Sequence, residues 1–123
     1  MEMGMGGNVI RIGRITRDMV RQDRQAVFVF GDNMEGRGLG GQAREMRGEP
    51  NTIGVPTKWR PGRGERDYFI DEDYQNRDVW HAIHGAFERM RWALQEGRNV
   101  VIPSDGLGTG LAELPVRAPK IHA

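Results

Sequence analysis

Apolar positions along this chain come in short runs separated by polar and glycine-rich stretches, and their spacing switches between strand and helix periods. Val9 to Ile12 alternates as a short strand, and Thr16 to Gln22 reads as one or two helical turns with Thr16 as N-cap. Ala26 to Phe30, AVFVF, is a continuous β-rich run of the kind that marks a buried strand. Gly40 to Arg47 predicts a helix that faces the core with Ala43 and Met46 and is ended by Gly48 and Pro50. Thr52 to Val55 predicts a strand, Lys58 to Asp67 a polar loop, and Tyr68 to Ile70 an extended stretch. The clearest helix is Arg77 to Glu96, where Trp80, Ile83, Phe87, Met90 and Leu94 form a candidate buried stripe. His81, His84, Glu88, Arg91 and Gln95 repeat on the adjacent polar face, and Gly97 suits the C′ position. Val100 to Ile102 is a second buried strand, closed by Pro103.

Strands alternating with helices predict an α/β fold, a mixed and mostly parallel sheet covered on both faces. The 123 residues give room for a single domain, 1–123, with no internal repeat. The absence of cysteine removes disulfides and thiolate metal sites. No apolar run approaches the roughly 18 residues needed to span a bilayer, and the start has no signal-peptide core, so a soluble cytoplasmic protein with no membrane partner is expected. A net charge of +1 argues against a dedicated duplex-binding protein. Arginine nonetheless dominates the cations, with Lys58 and Lys120 the only lysines.

Glycine changes the picture more. There are 18, concentrated in 31-GDNMEGRGLGG-41 and 104-SDGLGTG-110, and each cluster follows a buried strand and precedes a helix start. That placement lets backbone amides approach an anion beyond the carboxyl ends of strands. The candidate ligand-binding residues are Gly31, Asp32, Asn33, Gly38, Leu39, Gly40, Gly41 and Gln42 in the first loop. In the second they are Ser104, Gly106, Leu107, Gly108, Thr109, Gly110 and Leu111. Tight turns alone are the plainer reading of the same glycines. Gly36, Gly38 and Gly41 fit G-x-G-x-x-G, but too far from the strand and with no clear acidic ribose-binding strand near the expected distance, and a Walker motif is absent.

Lys58 stands among arginines, where lysine chemistry as a nucleophile is one reading and a phosphate-facing or solvated lysine the other. Asp32 orients a ribose hydroxyl or makes an Asx turn, and Asp105 caps amides, contacts a ribose or serves as a base. His81 and His84 lack a third ligand, so no metal is assigned, and no cofactor is called for. Trp92 projects away from the buried stripe and marks either a homo-oligomer contact or packing under another element. Segment 60-RPGRGERD-67, flanked by Trp59 and Tyr68, reads as a lid over the site or as an RNA-binding stretch.

The motifs 13-GRIT-16, 27-VFVFGDNMEGRGLGGQA-43 and 100-VVIPSDGLGTGLAEL-114 resemble, in order and spacing, those of macro domains, the three-layer α/β/α modules that bind ADP-ribose. The phrases FGDN, GGQA, RGEPN, PTK and DGLGTGLA are similar to a compact macro-like group of phage and bacterial genomes. The resemblance implies a small nucleotide of the ADP-ribose kind as partner, with Asn33 and Gly38 to Gln42 beside the distal ribose and diphosphate. Gly106 to Leu111 would form the second phosphate loop. Around 55-VPTKW-59 the chain is similar to the branch that removes ADP-ribose from glutamate or nucleic-acid ends through a lysine nucleophile. That implies a hydrolase with Lys58 as nucleophile and Asp105 or Glu113 as acid–base partner, acting on ADP-ribosylated protein or nucleic acid. Two positions depart from the pattern: Arg14 replaces the Asp that reads adenine, and Ala112 replaces the acid of the lysine-using branch.

Overall fold

A computed structural model describes residues 6–62, 64, 67 and 69–104 of the chain. The element order is β1 (Val9–Ile12), α1 (Arg17–Gln22), β2 (Val27–Asn33), α2 (Ala43–Met46), β3 (Thr52–Lys58), a 3-10 turn at Asp71–Gln75, α3 (Arg77–Gln95) and β4 (Val100–Pro103). The four strands form one sheet in the order β1-β4-β2-β3, and every pairing among the described residues is parallel. The antiparallel component of the predicted mixed sheet is therefore not found among them.

Alternation of side chains across the strands builds two apolar layers. Phe28 and Phe30 of β2 and Val101 of β4 pack against Ile15 ahead of α1, Val20 of α1, and Ala43 and Met46 of α2. Val27, Val29, Ile53, Val55 and Val100 face the other way, onto Ala86, Met90 and Ala93 of α3. The architecture is α/β in three layers. The chain moves from β1 to β2 to β3 along one face through α1 and α2, then returns to β4 along the other face through α3. Opposite directions on opposite faces keep all crossovers of one hand, as parallel units require.

Local signals explain the helix ends. The Thr16 hydroxyl accepts a hydrogen bond from the Met19 amide at 3.3 Å, and the Asn76 side chain accepts from Asp78 and Val79 at 2.9 and 3.2 Å. α3 stops in a Schellman turn. Gly97 takes a φ of +83°, its amide reaches the Leu94 carbonyl, and the Arg98 amide reaches the Ala93 carbonyl.

Three expectations are corrected. The buried stripe of α3 is Val79, Ile83, Ala86, Met90 and Ala93, whereas Trp80 and Phe87 are exposed. Small alanines let the helix lie close on the sheet and push the large aromatic side chains to its flank. The helix predicted over Gly40 to Arg47 is reduced to Ala43–Met46. Two strands run further than their apolar cores, β2 to Asn33 and β3 to Lys58. Among the described residues no helix is long and apolar enough to cross a membrane.

Candidate functional site

The extra length of β2 and β3 decides what meets at the carboxyl edge of the sheet. The register pairs Gly31 with Val55, Asp32 with Pro56 and, past an irregularity between Asp32 and Asn33, Asn33 with Lys58. β3 is an edge strand, so Pro56 needs no ladder donor on its outer side. After Asn33 the chain leaves toward the α1/α2 face, and after Lys58 it leaves toward the α3 face. A crevice outside strand ends where the connections diverge is the usual ligand position in open parallel sheets. Ser104 joins the same edge. It follows β4, whose strand pairs with β2, and its amide donates to the Ile12 carbonyl at 2.6 Å.

The first glycine loop is built from within. Arg47 donates from NH2 to Asp32 Oδ1 at 2.6 Å and from NH1 to Asp32 Oδ2 at 3.2 Å. The same guanidinium reaches the carbonyls of Gly36 and Gly38, both at 2.9 Å, and lies 5.4 Å over the Phe30 ring. Asn33 is buried, with Nδ2 donating to the Arg37 carbonyl at 2.7 Å and Oδ1 accepting from the Glu35 amide at 3.0 Å. Gln42 is also buried. Its side-chain amide donates to the Ile15 carbonyl at 2.8 Å and accepts from the Ile15 amide at 2.7 Å, locking the 13-GRIT-16 turn to the start of α2. A Cβ added at Gly54 would lie 2.6 Å from Asp32 Oδ2, so the neighbouring strand must be bare there.

Asp32 and Asn33 thus spend their polar atoms on the loop and its Arg47 anchor, and Gln42 spends its own on Ile15. Gly40 and Gly41 stay exposed, and Leu39 is 63% exposed, at the tip of that preformed loop. What the loop offers a ligand is main chain rather than these side chains.

Lys58 carries its ammonium to the Gly62 carbonyl at 2.6 Å. Met34 and Trp59, the residues that follow the Asn33–Lys58 pair, pack against Phe69, Val79 and Ile83. Trp59 meets Phe69 edge-on at 5.3 Å and donates from Nε1 to Asp73 Oδ2 at 3.1 Å. The crevice therefore has an apolar wall on the α3 side. Arg60 pairs with Asp67 at 3.3 Å, which anchors part of the predicted lid. Asp105, Gly106, Leu107, Gly108, Thr109, Gly110, Leu111, Ala112 and Glu113 lie outside the described residues.

His81 and His84 both lie against Trp80, His84 stacked at 3.9 Å, and no group of three metal-ligating side chains occurs among the described residues. Trp92 is 57% exposed on α3.

Two residues that organise this edge carry no motif. Arg47 entered the sequence reading only as the last residue of the helix expected over 40–47. Glu49, buried in the turn after α2, accepts from Arg17 and Arg21, one turn apart on α1, and from Arg24 just beyond the end of that helix. The Arg17 hydrogen bond, followed by those of Arg24 and Arg21, holds the Glu49 carboxyl at about 2 against an ordinary 4.5, overriding the opposing effect of burial. That i, i+4, i+7 arginine spacing opposite an acid between Gly48 and Pro50 is the signal that points to the clamp.

Fold and site define a three-layer α/β domain with a glycine loop and a lysine at the carboxyl edge of a parallel sheet. The chain belongs to DUF7831, a family of unknown function whose profile matches residues 10–123. No curated protein and no solved structure matches it.

Proposed function

We propose that this domain binds ADP-ribose or a related NAD-derived nucleotide at the carboxyl edge of the sheet, in the manner of a macro domain. The observation that carries the reading is loop 34–41, held in place by the Asn33 and Arg47 side chains on its carbonyls and leaving its glycine backbone exposed next to the carboxyl end of β2. Amides held in place before binding cost little ordering entropy when a diphosphate arrives. Loop 104–110 starts from the neighbouring strand end and supplies the second phosphate contact in this reading. Gly40 is the diagnostic position. Its Cβ site is open and its φ is outside the left-handed region, so Gly40→Val keeps the fold. Calorimetry is expected to show ADP-ribose binding to the native chain and none to Gly40→Val at unchanged thermal stability. Absence of heat with ADP-ribose, NAD and cyclic nucleotides alike would remove the reading.

A second reading, hydrolysis of an ADP-ribosyl bond, is favoured by one placement: Lys58 stands opposite Asn33 at the crevice. Here the Lys58 amine attacks the anomeric ribose carbon as the bond from that carbon to the leaving oxygen breaks, Asp105 or Glu113 gives that oxygen its proton, and water then attacks the same carbon to release ADP-ribose and free Lys58. Lys58→Ala should retain ADP-ribose binding and lose release of ADP-ribose from modified protein or DNA ends; unchanged turnover would exclude Lys58. The RNA-binding alternative for 58–68 predicts RNA affinity that falls steeply with salt, and a flat response would discard it.

A further inference from the structure

The chain segments that leave β2 and β3 dock on each other, and one carboxylate organises the contact. The Met34 amide donates to the Lys58 carbonyl at 2.9 Å, so the two segments start out side by side. Three residues beyond Lys58, the Pro61 ring reaches the glycine loop: a Cβ added at Gly38 would lie 3.2 Å from Pro61 Cγ. Arg60 Nε stands 4.0 Å from Glu35 Oε2 across the same junction. Gly62, next to Pro61, presents its carbonyl to Lys58 Nζ at 2.6 Å. Pro61 and Gly62 therefore contact both the glycine loop and the Lys58 side chain.

Asp67 sets those two residues in place. Its carbonyl accepts from the Trp59 amide at 2.7 Å, and its amide donates to the Gly64 carbonyl at 3.0 Å. Its carboxylate accepts from the Gly64 amide at 2.9 Å through Oδ2 and from Arg60 at 3.3 Å through Oδ1. Gly62 has a φ of +127°, and a Cβ there would run into Asp67 Oδ2, so the carboxylate packs directly on the Gly62 main chain. The Asp67 side chain is only 18% exposed, a carboxylate withdrawn from water to satisfy the donors around it. We propose that Asp67 is a positioning residue for Lys58: acting through the Gly62 carbonyl, it fixes where the Lys58 amine stands beside the glycine loop. A lysine head group sits on a flexible four-carbon stem and needs such an anchor to keep one position. The Gly62 carbonyl can only accept, so it takes an N–H of that group and leaves the lone pair of a neutral amine directed elsewhere. That is the arrangement a nucleophilic amine requires. The inference rests on the reading of Lys58 as the reacting group, but the placement of Lys58 is measurable without any nucleotide.

Lys58 and Lys120 are the only lysines, so Lys120 serves as an internal reference in the full chain. Acetylation by an N-hydroxysuccinimide ester, followed by peptide mass mapping, gives the ratio of the two rates. In Asp67→Ala the ratio of Lys58 to Lys120 should rise about tenfold, because the bond to the Gly62 carbonyl no longer restrains the amine. Asp67→Asn still accepts from the Gly64 amide and should stay within about twofold of the native ratio. Protected β2 amides in hydrogen exchange confirm that each chain is compared in its folded state. An unchanged ratio in Asp67→Ala would overturn the proposal, because Lys58 is then held without Asp67. Asp67→Asn as reactive as Asp67→Ala would overturn it too, because the carboxylate then acts through Arg60 and not through the turn that carries Gly62. In the reaction, Asp67→Ala should release ADP-ribose from modified protein about tenfold more slowly, while ADP-ribose affinity by calorimetry changes less than about threefold. Asn33 and Arg47 hold the glycine loop without Asp67, which is why binding survives. A native release rate in Asp67→Ala would overturn the proposal. A native chain that neither binds nor releases ADP-ribose would remove the nucleotide reading instead, and the acetylation ratios would still decide whether Asp67 places Lys58.

Discussion

The Arg47 guanidinium binds both oxygens of the Asp32 carboxylate and two carbonyls of the glycine loop, Gly36 and Gly38. One side chain therefore ties the end of β2 to the turn that follows it. Arg47→Met should leave the Asp32 carboxylate, which is 14% exposed, without its cation and cost about 1–3 kcal/mol in a urea titration. Arg47→Lys should recover little, because an ammonium cannot span the two carboxylate oxygens and two carbonyls at once. Asp32→Ala added to Arg47→Met should cost less than the sum of the single changes, because the two remove one shared interaction. An additive result would show that the pair is not coupled. Any nucleotide affinity should fall with Arg47→Met although the side chain need not touch the ligand.

Gln42 acts as a detached piece of backbone for Ile15. It satisfies the amide and carbonyl of that buried residue, which no strand or helix serves. Gln42→Ala should cost about 2–3 kcal/mol, because it orphans a buried donor and acceptor together. Gln42→Glu keeps the acceptor, loses the donor and adds a charge, and should be no better than Gln42→Ala near neutral pH. Urea midpoints of the three proteins rank the effect, and a Gln42→Ala change within 0.5 kcal/mol would show that water replaces the side chain.

The chain's apolar periodicity was enough to locate each strand among the described residues and the long helix, because the continuous run AVFVF and the helical spacing after Arg77 have few other solutions. It failed where tertiary pairing overrides local preference. Gly31, Asp32 and Asn33 are poor strand formers, and β2 continues through them only because β3 pairs alongside. Pro56 looked like a strand end, and an edge position makes it harmless. Trp80 and Phe87 were assigned to the core by their helical spacing with Ile83 and Met90, but close packing of α3 selected Ala86 and Ala93 instead. At the site, the glycine loop and Lys58 were legible, whereas the internal duties of Asp32, Asn33 and Gln42 were not. Their partners, Arg47, Arg37 and Ile15, are defined by the turn the loop makes rather than by any spacing in the chain.

Glu49 should make stability depend on pH in a particular window. Its carboxyl titrates at about 2 in the folded chain against 4.5 as the ordinary value, chiefly through the Arg17 hydrogen bond. The unfolded chain therefore takes up this proton first as pH falls. The stabilisation is complete above pH 4.5, declines below it and is gone near pH 2. Glu49→Gln should lower the melting temperature at neutral pH, since three arginines then face a neutral amide. The difference between native and variant should shrink steadily from pH 4.5 toward pH 2. Subtracting the two curves cancels the titration of the other carboxylates, which both proteins share. A difference constant across that window would show that the arginine clamp does not distinguish the charged from the protonated form.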